Sequence, residues 1–598
     1  MYTRAKTAKA PAPSPARARE EFARRYRVSQ KIVGIAGQQA VFRFRAPVAC
    51  DVLNVKVEFM DLPPFLSADD PPVAFPVDDP RGAMGEVRLQ ALEPGRGVAR
   101  LQLDEELFVV PCVVFRPVEF FVTLLISSNF HIGFDPLSYL FGDSPEARDL
   151  DLRGHAYPKT RQLERLYHTR GIPITWLIDG PVAETAAEDL RRWHVEMGDD
   201  LAALPSSLFN HNCLNFNTDR TEAETRDLLL TTLEEVEAPF DFFTTIAGAD
   251  QWVGSVGTNF TRAAYSLGLA GLWGVGFDHL TCDTSMFHRG CPWDVYKPDR
   301  ENFRIPAAHS SRLWMFQWTT RDIINTVHTP SRGPGGAVMF STDPDDIRVC
   351  GIMAHQHDYW TRLLREYKNN LRAGEKESPL GPNDHFVFTL HQEDHDCHFP
   401  EDADALRRFL DDIKDEVTFA TLEEVAAWLN LKYEAGDHPS QFLAVEDVLQ
   451  CRSKLNFFAG VEPPHDWPED DKTYPPHIAF YDTKGMGFIQ KPERLPRRFF
   501  HFASRHRTEE TGSYPECPLP QVQVISEKWD RMGRGWRYQL RLKVERGFAG
   551  LPWAIWEVPK TFEPPPRMPH GRAWFERIRA LFITLDVKAG QQELEIFL

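Results

Sequence analysis

Residues 29–117 alternate apolar and polar positions in short runs. Ala40-Val41-Phe42-Arg43-Phe44-Arg45 and Val52-Leu53-Asn54-Val55-Lys56-Val57-Glu58-Phe59 show the period of two that marks half-buried strands. Stretches such as Ala68-Asp69-Asp70-Pro71-Pro72 interrupt them, so this region predicts a small β-sandwich. From about residue 118 the pattern changes. Phe120-Phe121-Val122-Thr123-Leu124-Leu125-Ile126 is a continuous apolar run, expected of a parallel strand buried on both faces. A helical segment around Thr160–Thr169 follows, then a second strand within Gly171–Ile178. Thr221 with Glu224, and Thr421 with Glu424, read as capping boxes that start helices. Pro400 opens a helix with Leu406, Phe409, Leu410 and Ile413 on one face. Between these helices lie the strands Phe386–Leu390 and Val417–Phe419. Buried strands alternating with amphipathic helices predict an α/β barrel over 118–435. Past that point, alternation returns in Tyr538–Val544 and Leu594–Leu598, which predicts a β-rich C-terminal domain over 436–598. Residues 1–28, rich in Ala, Pro and Arg, read as a disordered basic tail leading into a short helix, with a transit peptide as the other reading.

Composition narrows the class of partner. The chain has 598 residues and a net charge of −18, and a surface this acidic repels phosphate backbones and anionic lipid. Neither nucleic acid nor a membrane is expected as a partner, and no apolar run approaches the roughly 20 residues a spanning helix needs. The nine cysteines are an odd number without Cys-x-x-Cys spacing, which predicts reduced thiols and a cytoplasmic setting. Aromatic residues make up 12%; they suit both sugar stacking and the filling of cores. A Gly-rich phosphate loop and a Gly-x-Ser-x-Gly elbow are both missing from the sequence.

Four segments together resemble the polysaccharide deacetylase family and its wider superfamily of glycoside hydrolases and deacetylases. They are Leu125-Ile126-Ser127-Ser128-Asn129-Phe130-His131, Tyr167–Ile178, Trp193–Asp200, and Phe388-Thr389-Leu390-His391 followed by a helix and Val417–Glu424. The resemblance covers about half of the chain. It implies a barrel of about seven parallel strands with a divalent metal, zinc in many members, held by one Asp and two His at the strands' C-terminal ends. A second Asp then acts as base and a late-strand His as acid. Such a metal polarises an acyl carbonyl and lowers the pKa of bound water. The sequence departs from the family pattern in three places. Ser127 and Ser128 stand where the family has paired Asp. No intact His-x-x-x-His follows. The Arg motif expected near Ile246–Trp252 is missing.

Candidate residues follow from this comparison and from position. His391, Glu393, Asp394 and His395 form the densest ionisable cluster, directly after a buried strand where barrel chemistry is placed. They are the candidates for proton transfer, with His391 on the family's late-strand His; the other reading is a polar loop before a helix N-terminus. His131, Asp135, Asp200, His211 and Asn215 are the candidates for metal ligands, and the alternative for His131 and Asp135 is a solvated loop. Asp278 and His279 also follow a strand-like run. The aromatic stretch with Trp293, Tyr296, Trp314 and Trp318 reads equally as a substrate wall or as packing on the barrel's flank, and His355 and His357 read as structural. The leading expectation is a metal-dependent hydrolase cleaving a C–N amide bond, with an N-acylated sugar or related small molecule as substrate. The alternatives are a glycosidase with two carboxylates, such as Asp135 with Glu393 or Asp394, and a metal-free barrel serving as a binding or assembly subunit. A homo-oligomer is compatible with each.

Overall fold

The computed structural model describes residues 25–127, 157–205, 220–249, 254–275, 294–320, 341–343, 356–371, 384–393, 400–437, 441–445, 477–490, 499–501 and 522–598, with short breaks inside some of these spans. Its centre is an all-parallel sheet. The strands are β1 (Glu119–Ser127), β2 (Thr175–Ile178), β3 (Asp200–Ala203), β4 (Ile246–Gly248), β5 (Gly271–Val275), β6 (Trp314–Gln317), β7 (His385–Glu393) and β8 (Thr418–Phe419). They line up in the order β6-β5-β4-β3-β2-β1-β7, with β8 paired to the lower part of β1. The helices are α1 (Tyr157–His168), α2 (Gly180–Thr185), α3 (Ala187–Met197), α4 (Glu222–Glu237), α5 (Gly254–Ser266), α6 (Gln356–Lys368), α7 (Pro400–Ile413) and α8 (Leu422–Lys432). Both capping boxes form as the sequence predicts, Thr221 with Glu224 on α4 and Thr421 with Glu424 on α8. The apolar face of α7 is buried at Leu406, Phe409, Leu410 and Ile413.

Alternation along β1 separates two cores. Phe120, Val122, Leu124 and Ile126 belong to a cluster that includes the helices' apolar faces. Phe121 and Leu125 belong to another, with Leu177, Trp273, Phe316 and Val387, which fills the inside of the curled sheet. The outer edges of the sheet, β6 and β7, meet through the residues that follow β6. The Thr320 N–H donates to the Thr389 carbonyl (3.0 Å), and the Thr389 N–H donates to Thr320 Oγ1 (2.7 Å). The seven parallel strands thereby form a partial barrel with its edges tied together. Strand β6 lies inside the aromatic stretch that reads as loop-like in the sequence, because four apolar and amide residues give no periodicity.

The N-terminal strands between Arg27 and Phe115 are hydrogen-bonded into one ten-stranded sheet, which also takes in Phe242–Phe243 from the barrel region. This is the β-rich region expected there, with its strands linked through one branched ladder. The strand Gln39–Arg45 pairs on both sides, with Met84–Ala91 on one and with Arg27–Ser29 and Ile32–Ile35 on the other, and so joins the strands into one ladder. The sheet shares its apolar cluster with the barrel's helical flank. Arg27 donates to the Glu237 and Phe240 carbonyls at the C-terminal end of α4 (2.7 and 2.9 Å), where a helix favours a cation. At the C-terminal end of the chain, Gly535–Val544 pairs with Val522–Met532 and Gly590–Phe597, and Ala580–Val587 pairs with Phe548–Ile555 and Arg572–Phe575. Tyr538, Leu540 and Leu542 from the first sheet pack with Ile555, Leu581 and Ile583 from the second in a core of their own. A four-stranded antiparallel sheet runs over Gln441–Val445, His477–Asp482, Gly485–Gln490 and Phe499–His501. Among the described residues, no helix is long and apolar enough to cross a membrane.

The lower end of the barrel, where the strands begin, is sealed by α8. Leu422, Val425, Ala426, Trp428 and Leu429 join the inner cluster, and Trp428 meets Phe121 edge to face at 5.3 Å. Charge is buried beside this plug. Lys31, carried in by the N-terminal sheet, lies 2.6 Å from Glu424 and 3.1 Å from Asp200, all three fully buried. Arg96, which reaches solvent, adds a second cation 2.7 Å from Glu424. Burial alone would raise the Glu424 carboxyl, but Arg96 and Lys31 outweigh it and bring it to about 2. Glu424→Ala is expected to lower the unfolding free energy by about 3 kcal/mol, the lower end for a broken buried pair, because Lys31 keeps Asp200 and Arg96 reaches water. Denaturant titration checks this. Glu424 titrates below its ordinary 4.5, so its contribution is complete above that pH and is lost as pH falls toward 2. The gap between wild type and variant should therefore close over that interval.

Candidate functional site

At the upper end of the barrel, strands β1 and β7 run side by side over their full length, with Leu125 beside His391 and Ser127 beside Glu393. The residues of β7 that match inward-facing positions of β1 include Val387 and Thr389, and Thr123 Oγ1 donates to Thr389 Oγ1 across the pair (3.2 Å). His391 follows in the same alternation. It is fully buried. Its Nε2 lies 2.9 Å from Ser127 Oγ, and its Nδ1 lies 3.7 Å from Asp343 Oδ2. Two indoles flank the ring, Trp273 at the centre of β5 and Trp318 just after β6, with centroids 4.9 and 5.0 Å from the imidazole. Trp273 Nε1 donates to the Trp318 carbonyl (3.1 Å), which joins the two walls.

Asp343 is placed by its neighbours. The Thr342 N–H donates to the Thr320 carbonyl (3.0 Å), Thr342 Oγ1 donates to the Thr389 carbonyl (2.9 Å), and the Asp343 N–H donates to Ser341 Oγ (3.0 Å). The backbone that carries Asp343 is thus fixed to the seam that joins β6 and β7, through Thr389 two residues along β7 from His391. The arrangement is a hydroxyl, an imidazole and a carboxylate in series, buried among indole rings where electrostatic interactions are strong. Chemically it can accept a proton at Nε2, stabilise the resulting cation through Asp343, and return the proton.

Of the residues expected from the sequence, His391 is placed where barrel chemistry belongs. The backbone of Glu393 pairs with Ser127. Its side chain lies outside the described residues, as do His131, Asp135, His211, Asn215, Asp278, His279, Asp394 and His395. Asp200 requires a correction. It begins β3 at the lower end of the barrel, accepts from Thr421 Oγ1 and pairs with Lys31. Burial, with Glu424 and Glu423 nearby, raises its pKa to about 7 against the pull of Lys31. It is committed to the lower plug and does not reach the upper end. The Gly198 turn explains the error: a left-handed residue (φ 76°) ends α3 and feeds β3 directly, so Asp199 and Asp200 sit where the strand starts rather than where it stops. Trp314 and Trp318 are buried in and beside β6, and Tyr296 is buried too, so these members of the aromatic stretch pack the barrel. His357 bonds to Asp412 (2.8 Å) and ties α6 to α7, the structural role expected of it.

Sequence reasoning passed over Asp343 and Trp273. The signal for Asp343 was present: the apolar run Ala337-Val338-Met339-Phe340 gives way to Ser341-Thr342-Asp343, an acid at the end of a strand-like segment. The metal expectation can be tested against the described residues. Among them no three His, Cys, Asp or Glu side chains converge as a ligand set, and the one candidate ligand they include, Asp200, is spent elsewhere. The described residues alone do not make a metal centre.

No family model matches the chain, and no curated protein matches it. Similar solved structures include a polysaccharide deacetylase from Mycobacterium smegmatis, with 13% identity over 52% of this chain and 90% of that one at a TM-score of 0.32. Another is a polysaccharide deacetylase from Pseudomonas aeruginosa PAO1, with 13% identity over 52% and 92% at 0.32. A third is a CE4 family pseudoenzyme from Bacillus anthracis, with 9% identity over 52% and 67% at 0.25.

Trp273→Ala should lower the unfolding free energy by about 3–5 kcal/mol, the usual range for removing a buried indole. Trp273→Phe keeps most of the wall and loses the bond to the Trp318 carbonyl, for about 1 kcal/mol. Denaturant unfolding of both variants checks the order.

Proposed function

We propose that this chain is a hydrolase of the deacetylase type, cleaving a C–N amide at the upper end of the barrel with His391 as the proton carrier. One observation carries the reading: His391 is held inside the barrel at the end of β7, between Trp273 and Trp318, with Ser127 on one nitrogen and Asp343 near the other. Amide cleavage requires a proton to be taken from the attacking oxygen and given to the departing nitrogen, and one imidazole can do both. Asp343 stabilises the ring while it is charged. The indoles on either side keep water from the imidazole. An N-acylated sugar or related small molecule is the substrate class in this proposal.

A divalent ion, zinc by the family resemblance, belongs to the proposal through His131, Asp135, His211 and Asn215. When bound, such an ion polarises the acyl carbonyl. Elemental analysis of purified protein tests this part separately: a stoichiometric divalent metal supports it, and metal-free protein that still hydrolyses amide removes it.

The test of the function is acetate release from a panel of N-acetylated amino sugars and small acetamides. His391→Ala is expected to lower turnover by at least about 100-fold, as loss of general acid–base catalysis does, while circular dichroism shows an intact fold. Unchanged turnover in that variant would reject the role of His391, and no release from any member of the panel by wild type would count against the amide reading itself.

A further inference from the structure

We infer that Ser127 is a nucleophile, activated by His391 and positioned with it by Asp343, so that the reaction passes through an acyl-enzyme. The inference deepens the hydrolase reading above and rests on it only for the substrate class. In the family pattern Ser127 counts as a lost carboxylate. In the folded chain its hydroxyl lies 2.9 Å from the imidazole.

Three features carry this. First, the order of groups is that of an activated serine: hydroxyl, imidazole, carboxylate, with the imidazole between the other two. The separation of 2.9 Å from Ser127 Oγ to His391 Nε2 lies within the range for transfer of a proton. The 3.7 Å from Nδ1 to Asp343 exceeds a hydrogen bond, and contacts of this kind are looser without a bound ligand. Second, each member stands on a rigid support. Ser127 ends a nine-residue strand, His391 lies on its nine-residue parallel neighbour, and Asp343 is fastened to the same neighbour through Thr342 and Thr389. Third, the site is dry. Ser127 is 1% exposed and Asp343 2%, and the imidazole is enclosed by Trp273 and Trp318. A serine needed only to satisfy a core histidine would have no use for a carboxylate behind that histidine.

The step balances without a co-reactant other than water. Ser127 Oγ attacks the acyl carbon as its proton moves to His391 Nε2, and the carbonyl π bond opens to an oxyanion. The oxyanion collapses, the C–N bond breaks, and the amine leaves with the proton from Nε2. The acyl group is now an ester on Ser127. Water attacks that ester, giving one proton to Nε2, and Ser127 leaves by taking it back. The products are the amine and the carboxylic acid.

The test uses the full chain and phenylmethylsulfonyl fluoride, a small sulfonyl fluoride from which an activated serine displaces fluoride. Mass spectrometry of the intact protein should show one sulfonyl adduct, and peptide mapping should place it on Ser127. His391→Ala is expected to slow labelling by about 10²–10⁴-fold, the contribution of a positioned general base. Asp343 is a positioning residue: Asp343→Ala should slow labelling, and Asp343→Glu should recover much of the rate, which a merely space-filling role would not produce. Folded wild type that takes no label at Ser127, or that labels at the same rate without His391, overturns the inference. The probe carries no amide, so the two readings separate. Amide turnover with an unlabelled Ser127 rejects the nucleophile and keeps the hydrolase. A labelled Ser127 without amide turnover keeps the nucleophile and moves the substrate to another acyl class.

Discussion

The pairing of β1 with β7 fixes almost everything that the upper end of the barrel can do. Nine consecutive residues, Glu119–Ser127, lie against His385–Glu393 in unbroken parallel register. Side chains alternate across a strand, so a slip of one residue would turn the inward set outward. The apolar pattern of both strands forbids that slip. Phe121 and Leu125 are needed inside with Val387, and Phe120, Val122 and Leu124 are needed outside against the helices. The register that satisfies both cores also sets Ser127 within reach of His391. The polar pair is thus placed by apolar residues that take no part in its chemistry.

The two ends of the barrel handle buried charge in opposite ways. At the lower end, Lys31 and Arg96 meet Asp200 and Glu424 at short range, and each acid finds a cation. That arrangement spends its charges on one another: Glu424 is held well below the usual carboxylate range, while burial and the neighbouring acids push Asp200 up against the pull of Lys31. At the upper end, His391 is enclosed by indoles and has one hydroxyl and one carboxylate for company. The same fold therefore holds a cluster of opposed charges at one end and an imidazole enclosed by indoles at the other, separated by the filled interior.

What could be read from the sequence was whatever depends on neighbours along the chain. Thr221 with Glu224 and Thr421 with Glu424 announce helix starts within four residues, and both form. The run Phe120–Ile126 announces a strand buried on both faces, and His391 after Leu390 announces a polar group at a strand's end. What could not be read depends on distant segments. Asp200 looks available until Lys31, 169 positions earlier, is folded against it. Ser127 looks like a loss until the register of β7 puts an imidazole beside it. Strand β6 hides in an aromatic stretch because four residues are too few to show a period. In the N-terminal region alternation reveals strands and their faces but not which of them share a ladder.

The common apolar cluster of the N-terminal sheet and the barrel has a thermodynamic consequence. Phe42, Phe44 and Leu101 from that sheet are in one continuous core with Leu163, Leu229 and Phe409 from the barrel's helices, and Phe242–Phe243 extends the sheet across the seam. Neither side can be removed from water without the other. Heat or denaturant must then melt them together, as a single cooperative block. The sandwich near the C-terminus, with an interior of its own around Tyr538 and Ile583, is free to melt at a different temperature.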